Sequence, residues 1–313
     1  MRLRRDWRNE GRRAMTSPEF IGLGELLWDC FPDRRLPGGA PANVAFHAQQ
    51  LGLSAATVTR VGCDTLGHEI CEFLKSQGLS IDLVQRDPLH GTGTVTVEPT
   101  PTRTTYTFLP DSAWDFLAPQ PELIVAMQSA KAVCFGTLAQ RSAISRETVH
   151  SCLAAASSSC LIVYDVNLRP PFYERDWIER SLGRARVVKL NDDEVRILSE
   201  MFETGTDNDL DFARHLLNDQ PQLELVCVTR GANGCLAVSR SEAIKVPGIA
   251  VQVVDTVGAG DSFTAALIQT RLAGWPLRRS VEFANRVGSL VASRPGAMPV
   301  LRDEFAALRR EFA

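Results

Sequence analysis

The chain has 313 residues, 44% of them hydrophobic and 23% charged, with a net charge of −3. This is ordinary globular composition, long enough for one large α/β domain or two smaller ones. So even a balance gives no basis for binding nucleic acid or an acidic membrane surface, and no apolar run approaches the roughly 20 residues of a membrane helix.

The first stretch, "MRLRRDWRNEGRRAM", is arginine-rich, has no apolar core and carries Asp6 and Glu10. It matches neither a secretory signal nor a transit peptide. Residues 1–17 read as a disordered basic extension, with Met15 an alternative start, and 18–313 as the folded domain. From Phe20 onward, strands and helices alternate. "FIGLGELLWD" reads as a short apolar strand, and "PANVAFHAQQLG" as a helix with Pro41 in its first turn and Gly52 past its end. "AATVTRVG" is a strand, and "DTLGHEICEFLKSQG" an amphipathic helix capped by Asp64. In "GTGTVTVEPTPTRTTYTFL" the period shortens to two around a Pro-Thr-Pro turn, which predicts a β-hairpin. The α/β rhythm then resumes through "PELIVAMQSA", "KAVCFG", "SRETVHSCLAAASS", "CLIVYDVN", "ARVVKLN" and "DDEVRILSEMF". "LELVCVTRGANGCLAVS" is strand, turn, strand, and the last helices are "LRRSVEFANRVGSLVAS" and "VLRDEFAALRREF". The pattern predicts a mostly parallel sheet covered on both faces. The hairpin and the "FPDRRLPGGA" insertion predict a small β subdomain over one edge. The eight cysteines form no CxxC pair and several lie in apolar runs, as expected of reduced thiols in a cytoplasmic protein.

Chemistry concentrates in "VVDTVGAGDSF" (253–263), where strand-like valines run into Gly258-Ala259-Gly260 and a helix start. Free amides and the positive end of a helix dipole make such a start an anion site. None of the four lysines follows a glycine, so this is no P-loop, and neither "GLGELL" nor "GAGDSF" has the third glycine of a dinucleotide fingerprint. Asp261 then has two readings: a plain N-cap, or a base taking a proton from an alcohol that attacks a phosphoryl group. Spacing alone leaves both open.

"DTVGAGDSF" resembles the C-terminal signature of the ribokinase-like (phosphofructokinase-B type) sugar kinases, and "GGAPANVAFHAQQLG" their N-terminal one, in the expected order. The resemblance runs from about Phe20 to the C-terminus and points to the fructokinase-like branch. It implies a Rossmann-like three-layer α/β domain with a β-sheet lid, here about 29–42 and 91–118. It implies Asp261 as the catalytic base and Gly258, Ala259 and Gly260 as the anion hole. For the sugar it implies Asp29, Gly38, Gly39 and Asn43, with Arg103 in the lid and Asn167 and Arg169 after a buried strand. Read alone, Asp29 is a turn residue, Asn43 a helix-start residue and Arg169 half of a salt bridge. Asp165 lies at the same carboxyl edge.

For ATP and Mg²⁺ the resemblance implies Asn191 and Glu194 of an N-x-x-E motif, acting through water. Thr229, Gly231 and Gly234 fall in the nucleotide turn, and Asn285 near the adenine. For a monovalent cation such as K⁺ it implies Asp255, Val257, Val291, Arg294 and Gly296. The expectation is an ATP-dependent kinase acting on a primary hydroxyl of a small sugar, fructose first, cytoplasmic, and homodimeric through the lid. Ribose, 2-keto-3-deoxygluconate or a nucleoside are the alternative acceptors, and a non-catalytic sugar or nucleotide binder is the alternative class. The lid stretch "FLPDSAWDFL", with Trp114, departs from the usual fructokinase sequence and leaves the acceptor open.

Overall fold

The computed structural model describes residues 17–99, 104–206 and 208–312. The basic extension up to residue 16, and Arg103, lie outside them.

Seven strands form the parallel part of the main sheet: β1 (Phe20–Leu23), β4 (Ala55–Gly62), β5 (Val84–Asp87), β8 (Ala132–Phe135), β9 (Leu161–Asp165), β10 (Val187–Asn191) and β11 (Leu225–Thr229). Two antiparallel strands, β12 (Cys235–Ser239) and β13 (Ala243–Val246), close one edge. The order is β13-β12-β11-β10-β9-β8-β1-β4-β5, so the chain starts inside the sheet and builds outward in both directions. The central strands are apolar throughout, as burial on both faces requires. Two apolar clusters account for that burial. One packs α1 (Ala40–Gln50), α8 (Ala259–Leu272) and α9 (Leu277–Ala292) on one face. The other packs α4 (Ala143–Ala155), α6 (Asp192–Met201) and α7 (Asp209–Asp219) on the opposite face.

A second, four-stranded sheet has the order β3-β2-β6-β7: β3 (Arg35–Gly38), β2 (Leu27–Cys30), β6 (Gly93–Pro99) and β7 (Thr104–Phe108). The predicted hairpin is the antiparallel β6–β7 pair. The stretch read as one strand, "FIGLGELLWD", is two. β1 ends at Leu23 in the main sheet, and after Gly24, Glu25 and Leu26 the chain re-enters the small sheet as β2. Gly24, at φ 152°, makes the break beside Pro41, whose ring would lie 2.7 Å from an added Cβ. Asp29 is therefore a ladder residue paired with Leu36, not a turn residue. Asp64 caps α2 (Thr65–Ser76), as its position predicts, accepting from the Gly67 amide at 2.7 Å.

One expectation fails outright. Val253 and Val254 are not strand residues, and their side chains are 57% and 58% exposed. The segment is a loop hydrogen-bonded to the end of α9, Val254 N to Ala292 O at 2.9 Å. β-branched composition suggests a strand, but among the described residues this segment joins no sheet.

Candidate active site

The site lies at the carboxyl ends of the central strands, where open α/β sheets hold ligands. Gly258 opens α8 in the left-handed conformation (φ 79°). A Cβ there would sit 2.5 Å from the Ala297 carbonyl oxygen, so only glycine fits. The Gly260 and Asp261 amides of the first turn have no backbone acceptor among the described residues, which leaves an anion cradle. The Ala259 amide differs from the sequence expectation, since it reaches back to Thr256 O at 3.3 Å.

Asp261 does not cap its own helix. The N-cap is Gly258, and no side chain caps α8. Instead Asp261 Oδ2 accepts from Asn43 Nδ2 on α1 at 2.7 Å. The other amide atom, Asn43 Oδ1, is buried and has no hydrogen-bond partner among the described residues. Desolvation, with the nearby Asp165 charge, pushes Asp261 up to about 6, while Lys189, the Asn43 bond and Arg169 pull it down.

Beneath the cradle lies a pair the sequence did not announce. Lys189 Nζ on β10 meets Asp165 Oδ1 at 3.0 Å, both buried, and Asp165 Oδ2 accepts from Thr264 Oγ1 on α8 at 2.9 Å. The amino group lies against Gly260, where an added Cβ would be 2.8 Å away. Burial opposes the lysine charge, but Asp165, Glu194 and Asp261 outweigh it and raise its pKa. Asp165 is thus a buried strut rather than a ligand at the carboxyl edge. "VVKLN" reads as a plain strand, so nothing in it marks the lysine.

The small sheet supplies the opposite wall. Burial pushes Asp29 up to about 6, countered by Arg169. Gly38 lies tight against it, an added Cβ falling 2.4 Å from Asp29 Oδ2. Gly39, at φ 107°, lies against the Glu25 carbonyl, 2.4 Å from an added Cβ. Glu25, also unforeseen, is 2% exposed. It accepts from the Ala40 amide at 3.1 Å, and its buried Oε2 has no partner among the described residues. Desolvation pushes it up to about 7. Arg169 makes no ion pair among the described residues, so the salt-bridge reading fails. Its one hydrogen bond is to Leu168 O at 3.1 Å, and its charge acts on Glu25, Asp29 and Asp261. Asn167 beside it is left-handed (φ 41°), which asparagine tolerates. Trp114 is 2% exposed, with the Arg141 guanidinium 4.0 Å over its ring, and so anchors the base of the small sheet.

Further along the sheet, Asn191 and Glu194 form a capping box on α6. Glu194 Oε2 accepts from the Asn191 amide and Oε1 from the Leu168 amide, each at 2.8 Å. Both carboxylate oxygens therefore already hold backbone, and exposed Asp192 and Asp193 only flank the helix start. Thr229 ends β11; Gly231 and Gly234 take positive φ (51° and 84°) in the turn to β12. Asn285 on α9 braces the loop after β13, donating to Pro247 O at 3.0 Å. Asp255 ties two loops together, accepting from the Val257 and Gly296 amides at 3.0 Å each. Val291 and Arg294 share the adjoining turn, Arg294 N to Val291 O at 2.9 Å. Among the described residues no group of three or more His, Cys, Asp and Glu side chains could hold a metal ion, and no helix is long and apolar enough to cross a membrane.

Comparison with known proteins gives a consistent answer. The profile of the pfkB family carbohydrate kinases matches residues 17–303. A probable fructokinase-5 of Arabidopsis thaliana is 31% identical over 91% of this chain and 95% of its own. A putative sugar kinase of Pyrococcus horikoshii is 30% identical over 91% and 93%. Among solved structures, a Vibrio cholerae fructokinase holding fructose, ADP and calcium superposes with a TM-score of 0.78 at 27% identity, covering 93% of this chain and 99% of that one. A Xylella fastidiosa fructokinase with ATP shares the fold, with a TM-score of 0.82, 22% identity, and coverage of 94% and 99%. An acid held over unpaired helix-start amides, in a fold shared from end to end with these enzymes, makes this chain a member of the pfkB family of carbohydrate kinases and a sugar kinase.

Proposed function

We propose that the protein transfers the γ-phosphoryl group of ATP to a primary hydroxyl of fructose. The observation that carries this reading is the Asn43–Asp261 contact, with the unpaired Asn43 Oδ1 beside it and the first-turn amides of α8 just beyond. An acceptor hydroxyl in that gap meets a base on one side and a phosphoryl cradle on the other. Asp261 takes the proton as the oxygen attacks phosphorus in line, and the amides of Gly260 and Asp261, with the α8 dipole, take up the charge that builds on the phosphoryl oxygens. One donor in such a hole contributes about 2.7–4 kcal/mol to the transition state. Asn43, Asp29, Gly38, Gly39, Asn167 and Arg169 hold the sugar, and the resemblance adds Arg103 to them. Thr229, Gly231, Gly234 and Asn285 border the nucleotide. The relatives and neighbours named for fructose and ATP support the choice of substrates.

Magnesium bound with ATP offsets phosphate charge. Asn191 and Glu194 fit it through water, in keeping with an ion that keeps its hydration shell. Asp255, Val257, Val291, Arg294 and Gly296 converge beside the cradle and fit a K⁺ held largely by backbone oxygens. The chain acts as one kinase domain over 18–313 with its small sheet as lid, dimerises through the free lid edges, and works in the cytoplasm. Its eight unbridged cysteines fit a reducing compartment.

The test is an acceptor panel in a coupled ADP-release assay, with and without K⁺. Fructose should give the highest kcat/KM, and K⁺ should raise it. A higher value for ribose, 2-keto-3-deoxygluconate or a nucleoside rejects fructose, and sugar binding without ADP release from any acceptor rejects the catalytic reading.

A further inference from the structure

Three polar side chains of helix α1, Asn43, His47 and Gln50, lie four and three residues apart. That spacing puts them on one stripe, and each member grips the C-terminal part of the chain. Asn43 holds Asp261. One turn on, His47 is fully buried with Nε2 2.9 Å from the Ala297 carbonyl oxygen. Gln50 donates to Pro299 O at 3.1 Å and accepts from the Leu301 amide at 2.6 Å. With its oxygen so engaged, Gln50 faces His47 through its NH₂ group, 3.4 Å from Nδ1. Nδ1 is then an acceptor, and the single ring proton lies on Nε2, donated to Ala297.

Ala297 is not remote from the chemistry. It closes over Gly258, where an added Cβ would meet its carbonyl oxygen at 2.5 Å and its Cα at 2.7 Å. Its neighbour Gly296 is tied to Asp255. The carbonyl that His47 holds is therefore the one that leans on the left-handed residue opening the anion cradle.

We propose that His47 is a positioning residue for phosphoryl transfer: by fixing the Ala297 carbonyl against Gly258, it sets the cradle at a constant distance from the base that the same helix holds through Asn43. The inference rests on the reading of Asp261 and Gly258–Gly260 given above. Leucine at position 47 fills similar space but strips the buried carbonyl of its donor, so the 296–299 loop relaxes and the cradle shifts against the base. Turnover suffers and substrate binding does not, because the cradle's charge is needed only as the phosphoryl group transfers.

The test compares full-length His47→Leu, His47→Gln, Asp261→Asn and Val226→Ala, the last emptying part of the core in β11 away from α1. With the best acceptor of the panel, kcat and both KM values are measured. Calorimetry then gives the affinity for ADP alone and for ADP with aluminium fluoride plus acceptor, a stand-in for the transferring phosphoryl group. His47→Leu should lower kcat about tenfold to a hundredfold and weaken the aluminium fluoride complex by a similar factor. Both KM values and ADP affinity should stay within about threefold. His47→Gln, whose amide still reaches a carbonyl, should recover most of the loss, and Val226→Ala should lower Tm without lowering kcat. If His47→Leu does not fold, His47→Asn, polar but too short to reach Ala297, takes its place against His47→Gln. The proposal is overturned if the donor-less variant keeps kcat and aluminium fluoride affinity within about twofold of wild type, if His47→Gln does no better, or if Val226→Ala reproduces the loss. A live Asp261→Asn overturns the site reading and this inference with it. A dead Asp261→Asn beside a silent His47→Leu overturns this inference alone.

Discussion

Asp261 is held by one amide, with Asp165 close behind it, and both burial and that neighbour favour its protonated form. A base must be unprotonated to work, so kcat/KM should fall as pH drops through about 6 and level off above it. A pH profile flat from 5 to 8 would remove Asp261 from that role. Asp261→Asn should keep ATP and sugar affinity while losing about 10²–10⁴ of turnover, read by steady-state kinetics beside calorimetry. The same raised pKa has a stability counterpart. The folded state binds this proton more tightly than the unfolded chain, so the group stabilises at low pH, and that contribution fades as pH rises through about 6. Asp261→Asn should therefore be more stable than wild type at pH 8, by something of order 2–3 kcal/mol, and by about half as much at pH 5. Equal gains at both values, measured by denaturant unfolding, would mean that the carboxylate is not strained by burial.

At the scale of elements, the buried Asp165–Lys189 pair joins β9 to β10 and, through Thr264, to α8. Lys189→Met leaves Asp165 as an unpaired buried charge, which should cost about 3–5 kcal/mol. Adding Asp165→Asn should return part of the loss, so the double variant falls well short of additive. Additive losses in urea unfolding would mean the two side chains act separately. This strut also shows where sequence reading stops. Apolar runs located β9 and β10, and the glycine-rich turn located the start of α8. That a lysine on one strand would find an aspartate on its neighbour depends on parallel pairing, Lys189 opposite Asp165, which no local pattern encodes. Glu25 escaped for a related reason: "FIGLGELLWD" has one continuous apolar character, and only the fold reveals a corner in it. The motifs at 38–43 and 258–261 were legible because left-handed and close-approach backbone demands glycine, which leaves a mark in the sequence. Val253 and Val254 mislead because β-branched composition does not reveal whether a sheet partner is present.

Across the whole molecule, the small sheet ends in two edges, β3 and β7, and β7 carries the exposed Tyr106, with Leu109 just past its end. Unpaired strand edges bearing apolar side chains invite a partner strand. Sedimentation should give the mass of two chains of 34.4 kDa, and Tyr106→Lys should shift it toward one. A single-chain mass at assay concentration would reject lid pairing. The corner between β1 and β2 carries a last implication. The innermost run of the main sheet continues, after only Gly24, Glu25 and Leu26, into the sheet that bears Asp29, while Asn43 and Asp261 stay with the rigid body. On the proposed reading, the seat for the sugar is half floor and half door, hung on the floor's own plank. Were the proposed lid to swing on that corner, Asp29 would leave the other contacts, so a molecule with no sugar inside would have no finished seat, and water, too small to hold the door shut, would make a poor rival for the phosphoryl group.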